Sequence, residues 1–225
     1  MTVTFGVALG LIGWATIAGL DLASVLQALF SRPIVAGPVA GLVIGDPETG
    51  LRVGVALELF ALDVVPVGAA RYPDFGAAAV ASVSYAAGTA WTESLGAAVG
   101  LGLVFAGVGG MTVPVTRRLN ARVVRGNAER LAGGESRAVE QVHLRCLLHD
   151  VVRSVGLAVV WTGIALALAA ADLRPSGRVG ELLTLIGLGG AGWAVAHGAM
   201  ASARVGRRWR WALLGVLAGT LGLLR

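Results

Sequence analysis

The sequence has a single cysteine, Cys146, and no lysine. One cysteine cannot form a disulfide within the chain, and the paired cysteine spacings of zinc and iron–sulfur sites are absent. Charged side chains make up only 14% of the 225 residues, whereas soluble proteins carry roughly 25%. So little charge cannot cover the whole surface of a soluble domain, and the composition therefore argues against an ordinary soluble protein.

Signatures of catalysis and of metal or phosphate binding are also missing. The sequence contains no HExxH motif and no recognisable nucleophile–base arrangement. The Gly-rich stretch at residues 107–110 is not a P-loop, because it lies inside an apolar run and lacks a lysine. We therefore expect no catalytic residue, no metal and no cofactor on this chain.

Long apolar runs dominate what the sequence does contain. Hydrophobic residues make up 56% of the chain, its mean hydropathy is +0.79, and 34 glycines allow close helix packing. A bilayer-spanning helix needs about 20 apolar residues. Uncharged runs near this length occupy residues 3–20, 75–92, 95–114, 154–171 and 182–203. The sequence therefore predicts an all-α, multi-pass protein of the cell (inner) membrane, whose first run is a retained helix.

The arginines stand in short blocks between the apolar runs. The formal net charge is +5, and residues 115–153 carry eight arginines against four acidic residues. This arrangement is typical of helices anchored at a cytoplasmic surface and argues against nucleic-acid binding. We interpret residues 115–150 as a cytoplasmic amphipathic segment at the membrane surface. It separates an N-terminal membrane region, residues 1–114, from C-terminal membrane helices, residues 151–225.

The N-terminal region is broken into short pieces. Residues 22–31 and 33–45 are uncharged but too short to span a bilayer, and charges and a proline interrupt residues 51–70. Broken helices of this kind usually surround a substrate path, where freed backbone groups find polar partners. We therefore expect discontinuous or re-entrant helices in residues 1–114, and a functional site within about residues 21–92.

Glu58 is the leading candidate for substrate binding. Gly50, Gly54 and Glu58 recur every four residues and so share one face of a helix. A charge inside a membrane helix costs about 2.5–3.5 kcal/mol on insertion scales, so it rarely lacks a function. The carboxylate can accept hydrogen bonds from the hydroxyl groups of a substrate, or it can form a structural ion pair with Arg52 or Arg71. The sequence leaves both roles open.

Other polar or small residues near the helix breaks are further candidates for substrate binding. Asp74 can cap the helix that follows it or face the substrate. Asp63 can bind substrate or pair with an arginine. Gly68 and Ala69 can let exposed backbone approach a substrate or another helix. Gln27 can bond a substrate hydroxyl or join neighbouring helices.

Several short motifs follow one another in a fixed order between residues 32 and 88. They are Arg32-Pro33, Gly41 to Asp46, Thr49-Gly50, Gly54 to Leu59, Val67 to Ala70 and Pro73-Asp74. Each piece is weak alone, but their order and spacing together are specific. In this order they resemble the membrane subunit IIC of the mannose–fructose–sorbose family of phosphotransferase-system (PTS) sugar permeases.

The resemblance implies a division of labour between subunits. In this family IIC pairs with a second membrane subunit, IID, while cytoplasmic IIA and IIB subunits pass phosphate from phosphoenolpyruvate through histidines. A hexose-like sugar crosses the membrane subunits and is phosphorylated inside, so no phosphorylated residue is expected on this chain. The resemblance also implies a higher oligomer within the lipid bilayer.

Some residues of this region are predicted to have structural or gating roles. Asp46 lies in a Pro/Gly turn, which favours a turn-making role over sugar binding. The full set of predicted structural or gating residues is Arg32, Pro33, Asp46, Gly50, Gly54 and Arg71.

Two other functions stay open. A degenerate subunit could be a non-transporting membrane scaffold, although a pure scaffold need not keep carboxylates in its spans. A proton-coupled secondary transporter could use Glu58 or Asp63 as the proton carrier. Asp63 also departs from the uncharged residue that is common in relatives near this point, so the sequence does not name the sugar.

Overall fold

The computed structural model describes residues 3–25, 27–62, 64 and 72–197, and every regular element in these ranges is an α-helix. In chain order the helices are α1 (Phe5–Asp21), α2 (Pro33–Ile44), α3 (Pro47–Ala61), α4 (Phe75–Ala86), α5 (Trp91–Gly126), α6 (Ala128–Ala132), α7 (Ser136–Ala170) and α8 (Gly177–His197). The predictions made for Asp63, Gly68, Ala69 and Arg71 lie outside the described residues.

Three of these helices are long and apolar enough to cross a membrane. They are Trp91–Gly126, Ser136–Ala170 and Gly177–Ala196. The prediction of an all-helical membrane protein is therefore confirmed. The helices α1, α2 and α4 are apolar but shorter, and the 12 residues of α2 and α4 reach only about 18 Å at 1.5 Å per residue.

The arginine-rich middle of the chain forms the ends of two long helices. No helix boundary falls between 114 and 115 or between 150 and 151, because α5 and α7 run through both points. The segment predicted to be amphipathic, residues 115–150, comprises the end of α5, all of α6 and the first turns of α7. At the tip of the hairpin, Arg130 and Glu135 form an exposed ion pair at 2.6 Å. Hydrogen bonds from Arg130 lower the pKa of Glu135.

The short apolar helix α4 lies at the centre of the bundle. All 12 residues of α4 are buried, and α1, α2, α3, α5 and α7 pack around it. Most α4 side chains are alanine, serine, valine or glycine, and such small residues let several helices approach one axis closely. The residue that precedes α4, Asp74, is therefore held in the middle of the protein.

The helices α2 and α3 form a hairpin that packs backbone against backbone. A Cβ atom built on Gly37 would lie 2.6 Å from the carbonyl oxygen of Gly50, and one built on Gly54 would lie 2.6 Å from that of Pro33. Only glycine fits at such distances. Glu58 lies one helical turn beyond Gly54 on this same face of α3. It therefore faces the start of α2.

The hairpin packing gives a testable prediction. Gly54→Ala should destabilise the protein by about 1–3 kcal/mol, because the added methyl group meets backbone that must move. The matched control is Gly107→Ala, where a Cβ would have no neighbour within 4 Å. It should be neutral or slightly stabilising, since alanine favours helix. Unfolding by SDS in mixed micelles measures both; equal stability of the two variants would contradict the packing argument.

Candidate functional site

A polar cavity of about 510 Å³ lies between the end of α1, the segment that follows it, α5 and α7. Its wall includes Gln27, which the sequence analysis named for substrate binding. Arg117 also reaches the cavity and holds its guanidinium 5.6 Å from the centre of the Tyr72 ring. The other polar lining residues are Asp21, Ser31, Thr116, Asn120, Asp150 and Arg153. Such a wall offers both donors and acceptors to a polar molecule.

Asp21 organises the segment that carries Gln27. Its buried carboxylate accepts hydrogen bonds from the backbone N–H of Ala28 at 2.5 Å and of Ser31 at 2.9 Å, and from the Ser31 hydroxyl at 3.0 Å. Gln27 itself has a φ of 47°, which a non-glycine residue adopts only when its surroundings hold it there. The sequence analysis missed this role of Asp21, although a lone acid between two uncharged runs was a usable signal.

Asp74 and Arg153 form a buried ion pair beside the same cavity. Their closest atoms, Arg153 Nη2 and Asp74 Oδ2, are 2.5 Å apart. The side chain of Arg153 is 7% exposed and that of Asp74 is 1% exposed. Arg153 also donates to the hydroxyl of Thr112 at 2.7 Å and to the carbonyl of Gly109 at 3.3 Å. The backbone N–H of Asp74 donates to Ala106 at 2.9 Å. These bonds connect α7 to α5 and to the start of α4.

The ion pair changes the interpretation of Asp74. Asp74 stands at the position that precedes α4, but its side chain makes no capping hydrogen bond. It binds an arginine instead, a partner that the sequence analysis did not consider. Arg153 was also missed as a site residue, because it appeared as the last of eight arginines in a basic segment. The available signal was its position immediately before an uncharged run.

Glu58 forms a second ion pair, with Arg32. Its carboxylate accepts hydrogen bonds from Arg32 Nε at 2.9 Å, from Arg32 Nη2, and from the backbone N–H of Ile34 at 3.2 Å. The side chain of Glu58 is 14% exposed, and that of Arg32 is 31% exposed. Arg52, one of the two partners considered from the sequence, instead pairs with Glu48 and lies 4.8 Å from the ring centre of Trp91.

A smaller cavity of about 210 Å³ lies beside this ion pair. Arg32, Pro33 and Ala61 are part of its wall. The two cavities adjoin, because four residues line both of them: Leu22, Leu29, Ser31 and Tyr72. Each acid is thus bound to an arginine that lines one of the two neighbouring cavities: Arg32 for Glu58 and Arg153 for Asp74.

Asp46 lies apart from these cavities, at the turn between α2 and α3. Its carboxylate caps α3 by accepting from the N–H of Thr49 at 3.1 Å, and it also accepts from the N–H of Gly88 at 3.0 Å. It thereby ties the hairpin to the end of α4. No group of three or more histidine, cysteine or acidic side chains suited to a metal occurs in the described part of the chain.

The sequence is similar to several characterised membrane components. Over 161 residues it is 29% identical to the mannose-specific EIIC component of Escherichia coli K12, which covers 71% of this chain and 58% of the relative. Over 70 residues it is 40% identical to the sorbose-specific EIIC component of Lacticaseibacillus casei, covering 31% of this chain and 24% of the relative. The chain thus spans little more than half the length of the curated relatives it matches.

Solved structures show the same fold. A structure of the mannose transporter ManYZ bound to a microcin aligns over 98% of this chain and 88% of its own, with a TM-score of 0.62 and 24% identity. A second membrane protein aligns over 100% and 97%, with a TM-score of 0.66 and 22% identity. Residues 5–203 match the family described as the sorbose-specific IIC component of the PTS system. The chain therefore belongs to this family of multi-pass PTS membrane components.

Proposed function

We propose that this protein is the sugar-translocating subunit of a phosphoenolpyruvate-dependent PTS, and that the sugar passes through the two adjoining cavities. The observation that carries the proposal is that the polar cavity shares four wall residues with the cavity lined by Arg32, the partner of Glu58. A hexose presents several hydroxyl groups that both donate and accept hydrogen bonds. Carboxylates, guanidinium groups and the amide of Gln27 supply the complementary partners.

In this proposal, substrate binding involves Glu58, Gln27 and Asp74, together with Asp63, Gly68 and Ala69. Val64 and Tyr72, which precede and follow residues 65–71, both line the smaller cavity. That placement supports a role for the intervening segment in the sugar path. Asp74 acts there through Arg153, which it holds at the cavity wall.

We also propose that the α2–α3 hairpin is re-entrant. Its helices have 12 and 15 residues, so they reach about 18 and 22 Å at 1.5 Å per residue, short of a hydrocarbon core about 30 Å thick. Their glycine-mediated backbone contact joins them into one unit. A re-entrant unit beside a cavity is the arrangement in which irregular backbone is tolerated at membrane depth.

The proposed partners follow from the family. Another membrane component, IID, pairs with this chain, as the two-part name of the ManYZ transporter suggests. Cytoplasmic IIA and IIB subunits deliver the phosphoryl group, and the membrane subunits form a higher oligomer. This chain carries no phosphorylated residue in the proposal. Relatives are described as specific for mannose, sorbose and fructose, which supports a hexose-like substrate without selecting one.

Sugar uptake tests the proposed function directly. Cells that lack their own mannose-type transport and express this chain with its partner subunits should take up labelled hexose and accumulate it as hexose phosphate. Membrane vesicles should need phosphoenolpyruvate and the cytoplasmic subunits for the same accumulation. Uptake of unmodified sugar that follows a pH gradient would instead favour a proton-coupled transporter. Full uptake by the partner subunits without this chain would favour a scaffold.

A further inference from the structure

The outer face of the α5–α7 pair contains an open groove of about 520 Å³, which shares Thr116 and Arg153 with the wall of the polar cavity. Its wall is almost entirely apolar and includes Val115, Leu119, Leu148, Val152, Leu157 and Val160. Gly156 forms part of the floor, where an added Cβ would have no neighbour within 4 Å. The groove is therefore a trough between two helices, with room above its floor.

The length of the groove matches half a bilayer. From Leu148 to Val160 the α7 wall extends about 18 Å at 1.5 Å per residue. One leaflet of a hydrocarbon core about 30 Å thick is about 15 Å deep. A single extended acyl chain entering from the end near Leu148 would thus fit the groove lengthwise.

Two arginines lie level with each other beyond this end of the groove. Thr112 bonds Arg153 at 2.7 Å and Asn120 contacts His149 at 2.8 Å, so α5 and α7 run antiparallel in a fixed register. The same register places residue 122 across from residue 145.

Both of these residues are exposed arginines about one helical turn beyond Leu119 and Leu148. Neither Arg122 nor Arg145 takes part in any ion pair within the described part of the chain. Two free guanidinium groups thus stand where the apolar groove meets the basic end of the hairpin.

We propose that the α5–α7 groove binds one acyl chain of an anionic phospholipid, with the lipid phosphate between Arg122 and Arg145. Guanidinium groups bind phosphate oxygens through paired, charge-assisted hydrogen bonds. The paired positive charge at the end of an otherwise apolar groove favours a lipid with an anionic headgroup as the occupant.

Native mass spectrometry of the full chain with its partner subunits tests the headgroup contact. Phosphatidylglycerol should remain bound in preference to phosphatidylcholine with the same acyl chains. Arg122→Gln combined with Arg145→Gln should weaken phosphatidylglycerol binding by roughly tenfold or more. The matched control is Arg137→Gln with Arg178→Gln, which removes the same charge from exposed positions away from the groove, one about 12 Å further along α7 than Arg145 and one on α8. Equal retention of both lipids, or an equal effect of both double variants, would overturn the proposal.

Two experiments test whether an acyl chain occupies the groove. One fills the groove with a larger side chain, and the other places a photocrosslinking residue on its wall. Gly156→Leu should reduce binding of both lipids, whereas Gly163→Leu, which also adds a side chain in open space on α7, should not. A benzophenone amino acid at the exposed residue Val152 should give an adduct with the mass of one phospholipid after irradiation of native membranes. An adduct with another protein subunit would identify the groove as a protein interface and reject the lipid.

Discussion

Arg153→Met should destabilise the protein by about 3–5 kcal/mol. The substitution leaves the carboxylate of Asp74, which is 1% exposed, without its cation, and removing one partner of a buried ion pair has an effect of this size. It also removes the donor to Thr112 and the contact with Gly109, through which α7 holds α5. We expect a large loss of folded protein after detergent extraction, and a lowered midpoint of unfolding by SDS.

A matched control and a double variant separate the charge from the packing. Arg137→Met removes an exposed arginine from the same helix and should change the free energy of unfolding by no more than about 0.5 kcal/mol. Asp74→Asn combined with Arg153→Gln keeps two hydrogen-bonding groups of similar size without a buried charge, and should restore most of the lost stability. A stable Arg153→Met protein would show that the ion pair contributes little.

The double variant also bears on transport. If Arg153 only holds the helices together, a protein with restored stability should regain sugar uptake. If the guanidinium also faces the sugar in the polar cavity, uptake should stay low although the protein is folded. We expect the second result, because Arg153 lines the polar cavity while it holds Asp74.

Hydropathy predicted the membrane character of the chain better than it predicted the ends of the helices. The run that begins at residue 75 does start a helix there, because Pro73 and Asp74 precede it. The boundaries expected at residues 114, 154 and 182 all lie inside longer helices. Charged residues end a membrane span, but a helix continues through them into the polar phase, since arginine and glutamate are good helix formers.

The candidate side chains were easier to predict than their partners. Glu58, Arg32 and Asp74 could each be selected because charges are rare in a sequence this apolar. The pairing of Glu58 with Arg32, 26 residues away, depends on how closely α2 and α3 approach. The pairing of Asp74 with Arg153 joins residues 79 apart in sequence. Such contacts are set by packing, and no local spacing rule in one sequence reveals them.

Glu58→Gln should reduce sugar uptake by about a hundredfold or more while the protein still inserts. The carboxylate receives bonds from Arg32 and from the N–H of Ile34, and hydrogen bonds to a charged group contribute about 1.5–3 kcal/mol each. Exchange of the arginine for sugar hydroxyls would keep the acid satisfied during transport. An amide offers one acceptor oxygen and no charge, so it cannot replace the carboxylate in either state.

Substituting each partner of the ion pair in turn tests whether Glu58 binds sugar or only stabilises the fold. If its role is only structural, Arg32→Gln and Glu58→Gln should lower stability and uptake to the same extent. Sugar binding predicts that uptake per inserted protein falls much further for Glu58→Gln than for Arg32→Gln. Glu48→Gln, on an exposed face of the same helix, should leave uptake unchanged. Because the cavity beside Arg32 adjoins the polar cavity, we expect the unequal result; wild-type uptake by Glu58→Gln would remove Glu58 from the sugar path.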